Sequence, residues 1–193
     1  MDNREKILTN ALDLFYTRGY DAVGIQQIVD AAGLTKPTMY YYFGSKRGLL
    51  DALLGEQYEK LEQCISQAAV YNGSFPETLF LVAEAFFRFV GENRKIYSFI
   101  LALFYTGQEN EGHKAVEPFI SRYYRKITGL FEAAALELGN MNGRQKQFAL
   151  GFQGLLDMTF LMLRSQTPEH ERIVLNETQI RGIVKQFMYG IYS

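Results

Sequence analysis

Apolar residues recur along this chain at three- and four-residue steps, and short polar breaks divide them into a succession of helical segments. Between Arg4 and Arg18 the apolar positions are Ile7, Leu8, Ala11, Leu12 and Phe15, and the segment stops at Gly19. Ile25, Ile28, Val29 and Ala32 mark one buried face of a short second helix. Gly33 follows and can take the positive φ that a sharp reversal needs. Thr35 is a good N-cap and Pro37 falls in the first turn of a third helix only about two turns long. Ser45 then caps a long helix in which Leu49, Leu50, Leu53, Leu54, Tyr58, Leu61 and Ile65 keep helical spacing to about Val70. A turn is predicted over 71–76, helices over 77–90 and 94–106, and a polar, glycine-bounded loop, expected to be mobile, over 107–112. Further helices are predicted over 117–138, 144–164 and 176–192, the last two separated by a loop with Pro168. No segment alternates like a strand hairpin and no repeat appears, so the pattern predicts an all-α chain.

The second and third helices, joined by a tight turn, read as a helix-turn-helix, whose recognition helix enters a major groove by its N-terminal end. The net charge of −1 disguises a local bias: between Thr35 and Leu50 the charged residues are Lys36, Lys46 and Arg47, with no acid. Local sign sets the field that a phosphate backbone feels. Three bases in sixteen residues can also be ordinary surface; their coincidence with the motif favours DNA. Lys36 can reach guanine O6 and N7 or a phosphate, while Pro37 and Thr38 offer apolar surface to a thymine methyl. The hydroxyls of Thr38, Tyr40 and Tyr42 suit phosphate oxygens. Lys46 can grip phosphate together with the N-terminal N–H groups of the long helix. The expected DNA contacts are therefore Thr35, Lys36, Pro37, Thr38, Tyr40, Tyr42 and Lys46. Met39 and Phe43 are expected to bury against the first helix, and Tyr41 is assigned to packing.

The register of these residues resembles the TetR (tetracycline-repressor-like) family of bacterial transcription regulators. The matching elements are Ile28, Ala32-Gly33-Leu34, the run from Thr35 to Phe43, Ser45-Lys46 and Leu49-Leu50. The resemblance covers roughly the first third of the chain, and beyond it only the succession of helices fits. Val29 stands where the family usually has Ala, Gly24 replaces the usual Thr cap, and Tyr42 stands where His is common. The resemblance implies an N-terminal three-helix DNA-binding domain, here 1–47, and a helical ligand-binding and dimerisation bundle, here 48–193. It also implies double-stranded DNA, a second copy of the chain and a small-molecule effector as partners.

Composition agrees with such a regulator. Of 193 residues 48% are apolar and 21% charged, so a sizeable core can be buried. No apolar run reaches the roughly 18 residues of a membrane span, and the charged N-terminus has no apolar run behind it. Cys64 is the only cysteine, expected as an inert buried thiol, and a cytoplasmic address is the plain expectation. The later helices carry many aromatics. Phe86, Phe89, Tyr97, Phe104, Tyr105, Tyr123 and Phe131 are candidate linings for an apolar or aromatic ligand, although many of these aromatics must simply be core.

The segment after Gln147 is apolar on nearly all sides, from Phe148 to Leu163, and a helix apolar all round must be buried all round. One face can meet the core and the other a second copy. The following stripe of Ile180, Ile183, Val184, Phe187 and Ile191 would complete a four-helix dimer interface. Asp157 is the acid inside this run, expected to pair across that interface or to face a cationic ligand. Enzymatic chemistry finds no support: His113 and His170 lack metal-site spacing, Cys64 has no activating neighbour in sequence, and no phosphate-cradling glycine motif occurs. Neither metal nor cofactor is expected. The reading is a transcriptional regulator, a repressor released from a palindromic operator by a small apolar or aromatic effector. The alternative is a helix-turn-helix regulator controlled by a protein partner, which a sealed C-terminal core would favour.

Overall fold

The computed structural model describes residues 2–139 and 141–190. Among the described residues there are ten helices and no strand. In chain order they are α1 (Asn3–Arg18), α2 (Ile25–Ala32), α3 (Lys36–Phe43), α4 (Lys46–Ala68), α5 (Phe75–Glu92), α6 (Arg94–Phe104), α7 (Glu111–Ala133), α8 (Ala135–Leu138), α9 (Gln145–Gln166) and α10 (Glu177–Tyr189).

Most boundaries follow local chemistry. Asp2 and Glu5 form a capping box that starts α1. Gly24 has no side chain to cap α2, but its N–H donates to Gln27 Oε1 at 2.8 Å. Asn176 caps α10, again with a reciprocal bond from Gln179. Ile191 and Tyr192, expected in this last helix, and Asn140, expected in a turn, lie outside the described residues.

Two expectations need correction. The turn over 71–76 is shorter than predicted, because Phe75 and Pro76 already belong to the first turn of α5, where proline forfeits no helical bond. The helix predicted from 117 starts at Glu111, so that Pro118 lies inside it, and it breaks at Ala134 before α8. The helix runs through Pro118 at the cost of one i−4 hydrogen bond. The 107–112 segment is correspondingly short and tied down. Asn110 Oδ1 accepts from the Gly112 N–H at 2.7 Å, and Asn110 Nδ2 donates to Asp21 at 2.7 Å.

The chain forms two compact units. The first runs to Glu59 and takes in Lys95–Phe119; the second holds Lys60–Arg94 and the chain from Ile120 onward. In the first unit α1, α2 and α3 pack on one another over Ile7, Ala11, Phe15, Ile28, Met39, Leu49 and Leu50, all essentially sealed from solvent. Phe15 stacks on Phe99 of α6 with centroids 5.7 Å apart. In the second unit Phe75, Phe131, Phe152 and Phe187 meet ring to ring across α5, α7, α9 and α10. Each large side chain buried this way contributes roughly 1.5–3 kcal/mol. Arg181 ties α10 to α5, pairing with Glu77 at 2.9 Å while its guanidinium covers the Phe80 ring.

Candidate nucleic-acid interface and bundle core

The recognition helix stands on three local devices. Gly33 takes φ 65°, in the left-handed region, and its neighbour Leu34 donates back to the Val29 carbonyl at 2.8 Å, which closes the turn between α2 and α3. Thr35 accepts from the Thr38 N–H, and the two hydroxyls lie 2.9 Å apart. At the far end Ser45 Oγ accepts from the Gly48 N–H at 2.9 Å. A Cβ at Gly48 would stand 2.0 Å from the Phe43 carbonyl oxygen, so only glycine lets α4 start this close behind α3. Sequence reasoning passed over Gly48, since a glycine in the first turn of a helix carries no local signal of what approaches it.

Met39 is fully buried under the helix, and Phe43 is half-buried beneath the Arg4 guanidinium, as expected. Lys36, Pro37, Tyr40 and Tyr42 are exposed, Thr35 is exposed in its cap, and Thr38 is half-buried. Tyr41 is a correction. It was assigned to packing, yet it is 84% exposed, the most open of the three tyrosines. Met39 occupies the inward position of this short helix, and the 100° steps that follow carry Tyr41 outward, where its ring meets that of Tyr42 edge-on, centroids 5.1 Å apart.

The basic residues at the start of α4 are partly engaged. Lys46 Nζ lies 4.1 Å from the centroid of the Tyr20 ring. Burial pulls the Lys46 pKa below its ordinary value, and the nearby carboxylates of Asp21 and Glu111 oppose that shift. Burial also raises the Tyr20 phenol, helped by its hydrogen bond to Glu111. Arg47 bonds Asp51 at 2.8 Å and the Glu111 carbonyl at 3.2 Å. The acid-free stretch read from the sequence therefore meets acids supplied from elsewhere in the chain.

The candidate ligand-lining aromatics fall into two sets. Phe86, Phe89, Tyr123 and Phe131 are buried in the second unit; Tyr97, Phe104 and Tyr105 belong to the first. Phe104 is half-buried and stacks on His113, whose Nδ1 lies 2.8 Å from the Phe104 carbonyl oxygen, while Tyr105 is exposed. The second unit also carries a surface cleft of about 280 Å³ that sequence reasoning missed. Phe87, Ile173 and Ile180 floor it, and Glu84, Arg88 and Arg172 stand at its charged rim. It shares no residue with the predicted set, because it arises where the 172–177 segment crosses α5.

Helix α9 has two faces. Phe152, Leu156 and Phe160 are buried, whereas Leu150, Met158 and Met162, at multiples of four residues, are 61%, 56% and 53% exposed. Asp157 is half-buried beside them, and Cys64 is half-buried rather than sealed. Arg94 fixes the C-terminal end of α9, donating to the carbonyls of Arg164, Thr167 and Pro168 at 2.6–2.8 Å. No group of three or more potential metal ligands is present among the described residues, and no described helix is long and apolar enough to cross a membrane.

Residues 7–53, which hold this interface, match the sequence model of bacterial regulatory proteins of the tetR family. Over 98% of its length the chain is 26% identical to a Mycolicibacterium smegmatis protein named HTH-type transcriptional activator FasR, spanning 82% of that relative. The fold is similar to that of Bacillus subtilis FadR solved in complex with stearoyl-CoA (TM-score 0.78, 16% identity, 97% of this chain and 98% of that one). It is similar also to AibR solved in complex with isovaleryl coenzyme A and operator DNA (TM-score 0.71, 18% identity, 96% and 97%). The head of the chain, built to present one short helix end, is thus similar to that of the tetR family of bacterial regulatory proteins, whose model it matches, and the relative aligned over nearly the whole chain is named an HTH-type transcriptional activator.

Proposed function

We propose that the chain acts as a homodimer on a near-palindromic operator and that an apolar small molecule, with an acyl thioester as its first candidate class, lowers its affinity for that operator. The observation that carries the DNA half is the exposure of Lys36, Tyr40, Tyr41 and Tyr42 on a capped two-turn helix whose inward face is sealed by Met39. Thr35, Pro37 and Thr38 frame the groove-entering end, and Lys46 adds a backbone contact. The open Leu150–Met158–Met162 face supports the dimer, since aliphatic side chains at four-residue steps form a ridge that a second helix can pack against. A stable dimer of this kind buries about 2,000 Å² or more.

The effector half draws support from the aromatic interior around Phe86, Phe89, Tyr123 and Phe131, and from the coenzyme A thioesters held by the two similar structures. These aromatics are sealed, which by itself favours control by a protein partner; a small molecule must instead select a more open arrangement of the second unit. Its differential affinity for that arrangement is the whole of its leverage on DNA.

The test begins by selecting bound duplexes from random DNA and measuring their affinity by fluorescence anisotropy, alone and with isovaleryl- or stearoyl-coenzyme A. A two-fold symmetric binding site and a weakening on addition of one thioester are expected. No enrichment of any duplex would overturn the DNA reading, and enrichment with no response to either thioester would overturn the effector class.

A further inference from the structure

We propose that Glu111, in the first turn of α7, is a positioning residue for DNA binding: it holds the Tyr20 ring that seats Lys46. This rests on the reading of Lys46 as a phosphate contact and extends it to a residue far outside the helix-turn-helix.

The geometry is a chain of short contacts within the first compact unit. Tyr20 Oη donates to Glu111 Oε2 at 2.5 Å. The ring itself is almost wholly buried and meets the edge of Phe15 at 5.2 Å, so its plane has little freedom while the hydroxyl is held. Lys46 Nζ sits over the face of that ring, 4.1 Å from its centroid, in a cation–π arrangement. Two further bonds register the start of α7 on the same part of the head. Arg47 Nη1 donates to the Glu111 carbonyl, and Asn110 Nδ2 donates to Asp21. Asn110 at the same time accepts from the Gly112 N–H, so the residue that touches Asp21 also orders the first turn of the helix carrying Glu111.

The position of Lys46 explains why the seat matters. It is the first residue of α4, where free N–H groups and the positive end of the helix dipole favour an anion. An ammonium swinging freely on its four-carbon stem loses side-chain entropy when it grips a phosphate; one already parked on a fixed ring loses less. Glu111 thus acts through Tyr20, without touching DNA.

The experiment measures affinity and its salt dependence for a duplex selected from random sequence, using the full-length chain. Lys46→Ala is expected to reduce the salt slope by about one. Tyr20→Phe keeps the ring but loses the hydroxyl bond, and is expected to weaken binding about three- to tenfold. Glu111→Ala should match it. Glu111→Gln keeps an acceptor for the phenol and should bind within about twofold of the parent chain. In the Lys46→Ala background, Tyr20→Phe should have no further effect. An equal loss in both backgrounds, or a Glu111→Gln variant as weak as Glu111→Ala, would overturn the positioning role. If Lys46→Ala leaves the salt slope unchanged, it is the phosphate contact that fails. Amide exchange of residues 110–113 provides a second readout that needs no variant: by linkage, bound duplex should slow it, and unchanged exchange counts against the proposal.

Discussion

On α3 the large side chains left in solvent are tyrosines, Tyr40, Tyr41 and Tyr42; on α9 they are Phe148, Leu150, Met158 and Met162, none with a polar handle. Both helices have a sealed inner face, Met39 in one and Phe152, Leu156 and Phe160 in the other. What differs is the chemistry offered outward. A phenol pairs an apolar ring with a hydroxyl that can bond a phosphate or stay hydrated, so it tolerates exposure and suits a polar partner. Leucine and methionine have no polar handle and gain only by leaving water. Exposure alone does not identify a binding face; the side-chain type on it separates a nucleic-acid surface from a protein one.

The contrast breaks most decisively on the α9 side. Replacing Leu150 and Met158 together by Asp should leave the fold intact, because both side chains are more than half exposed, and should abolish the dimer. Losing the second head should cost operator affinity about 100-fold or more, since bivalent binding adds factors of that order. Sedimentation equilibrium and anisotropy together check this. A variant that stays dimeric and binds normally would remove the distinction between the two helices.

On the α3 side, Lys36→Ala should lower discrimination between the selected duplex and a mismatched one by about 1–3 kcal/mol. Competition binding measures it, and equal weakening on both duplexes would make Lys36 a backbone contact only. Tyr41 sharpens the chemistry: Tyr41→Ala should leave stability within about 0.5 kcal/mol of the parent chain, as for other exposed positions. DNA affinity should nevertheless fall a few-fold, with Tyr41→Phe intermediate. A large fall in melting temperature would restore the packing role that exposure argues against.

The smallest effect lies away from both faces. The hydrogen bond from Arg181 holds the Glu77 carboxyl below its ordinary range. The folded-state pKa is therefore depressed, so the bond stabilises the fold above the ordinary carboxylate range and is lost as pH falls through the depressed value. Glu77→Gln should melt slightly lower than the parent near neutral pH, and the two should converge in acid. The side chain is 42% exposed, so the gap should be small. A constant gap across pH would assign it to packing of Arg181 on Phe80 instead.

Much of this was legible along the chain. The boundaries of α2 and α3 followed from Gly33, Thr35 and the Ile25–Ala32 face, because each depends on residues within four positions. The inward placement of Met39 followed from helical spacing. Less could be read where a local signal competes with packing, as at Pro118, or where several positions are equally apolar, as for Tyr41 among three tyrosines. The aromatic residues proposed for one ligand site illustrate the limit: periodicity put them on helices but not toward one interior, and they divide between two compact units, with Tyr105 exposed.

By itself the sequence determined nine segments of helical spacing, the turn that makes a helix-turn-helix, and the residue types offered at its tip. These depend on i to i+4 backbone bonds, caps and the φ open to glycine, all properties of neighbouring residues. Only the tertiary structure decided the electrostatic setting of that tip. Glu111 stands 64 residues from Arg47 and 91 from Tyr20, yet it bonds both. A charge acts through space, falling off over a few ångströms, and the distances that govern it exist only once the chain has folded.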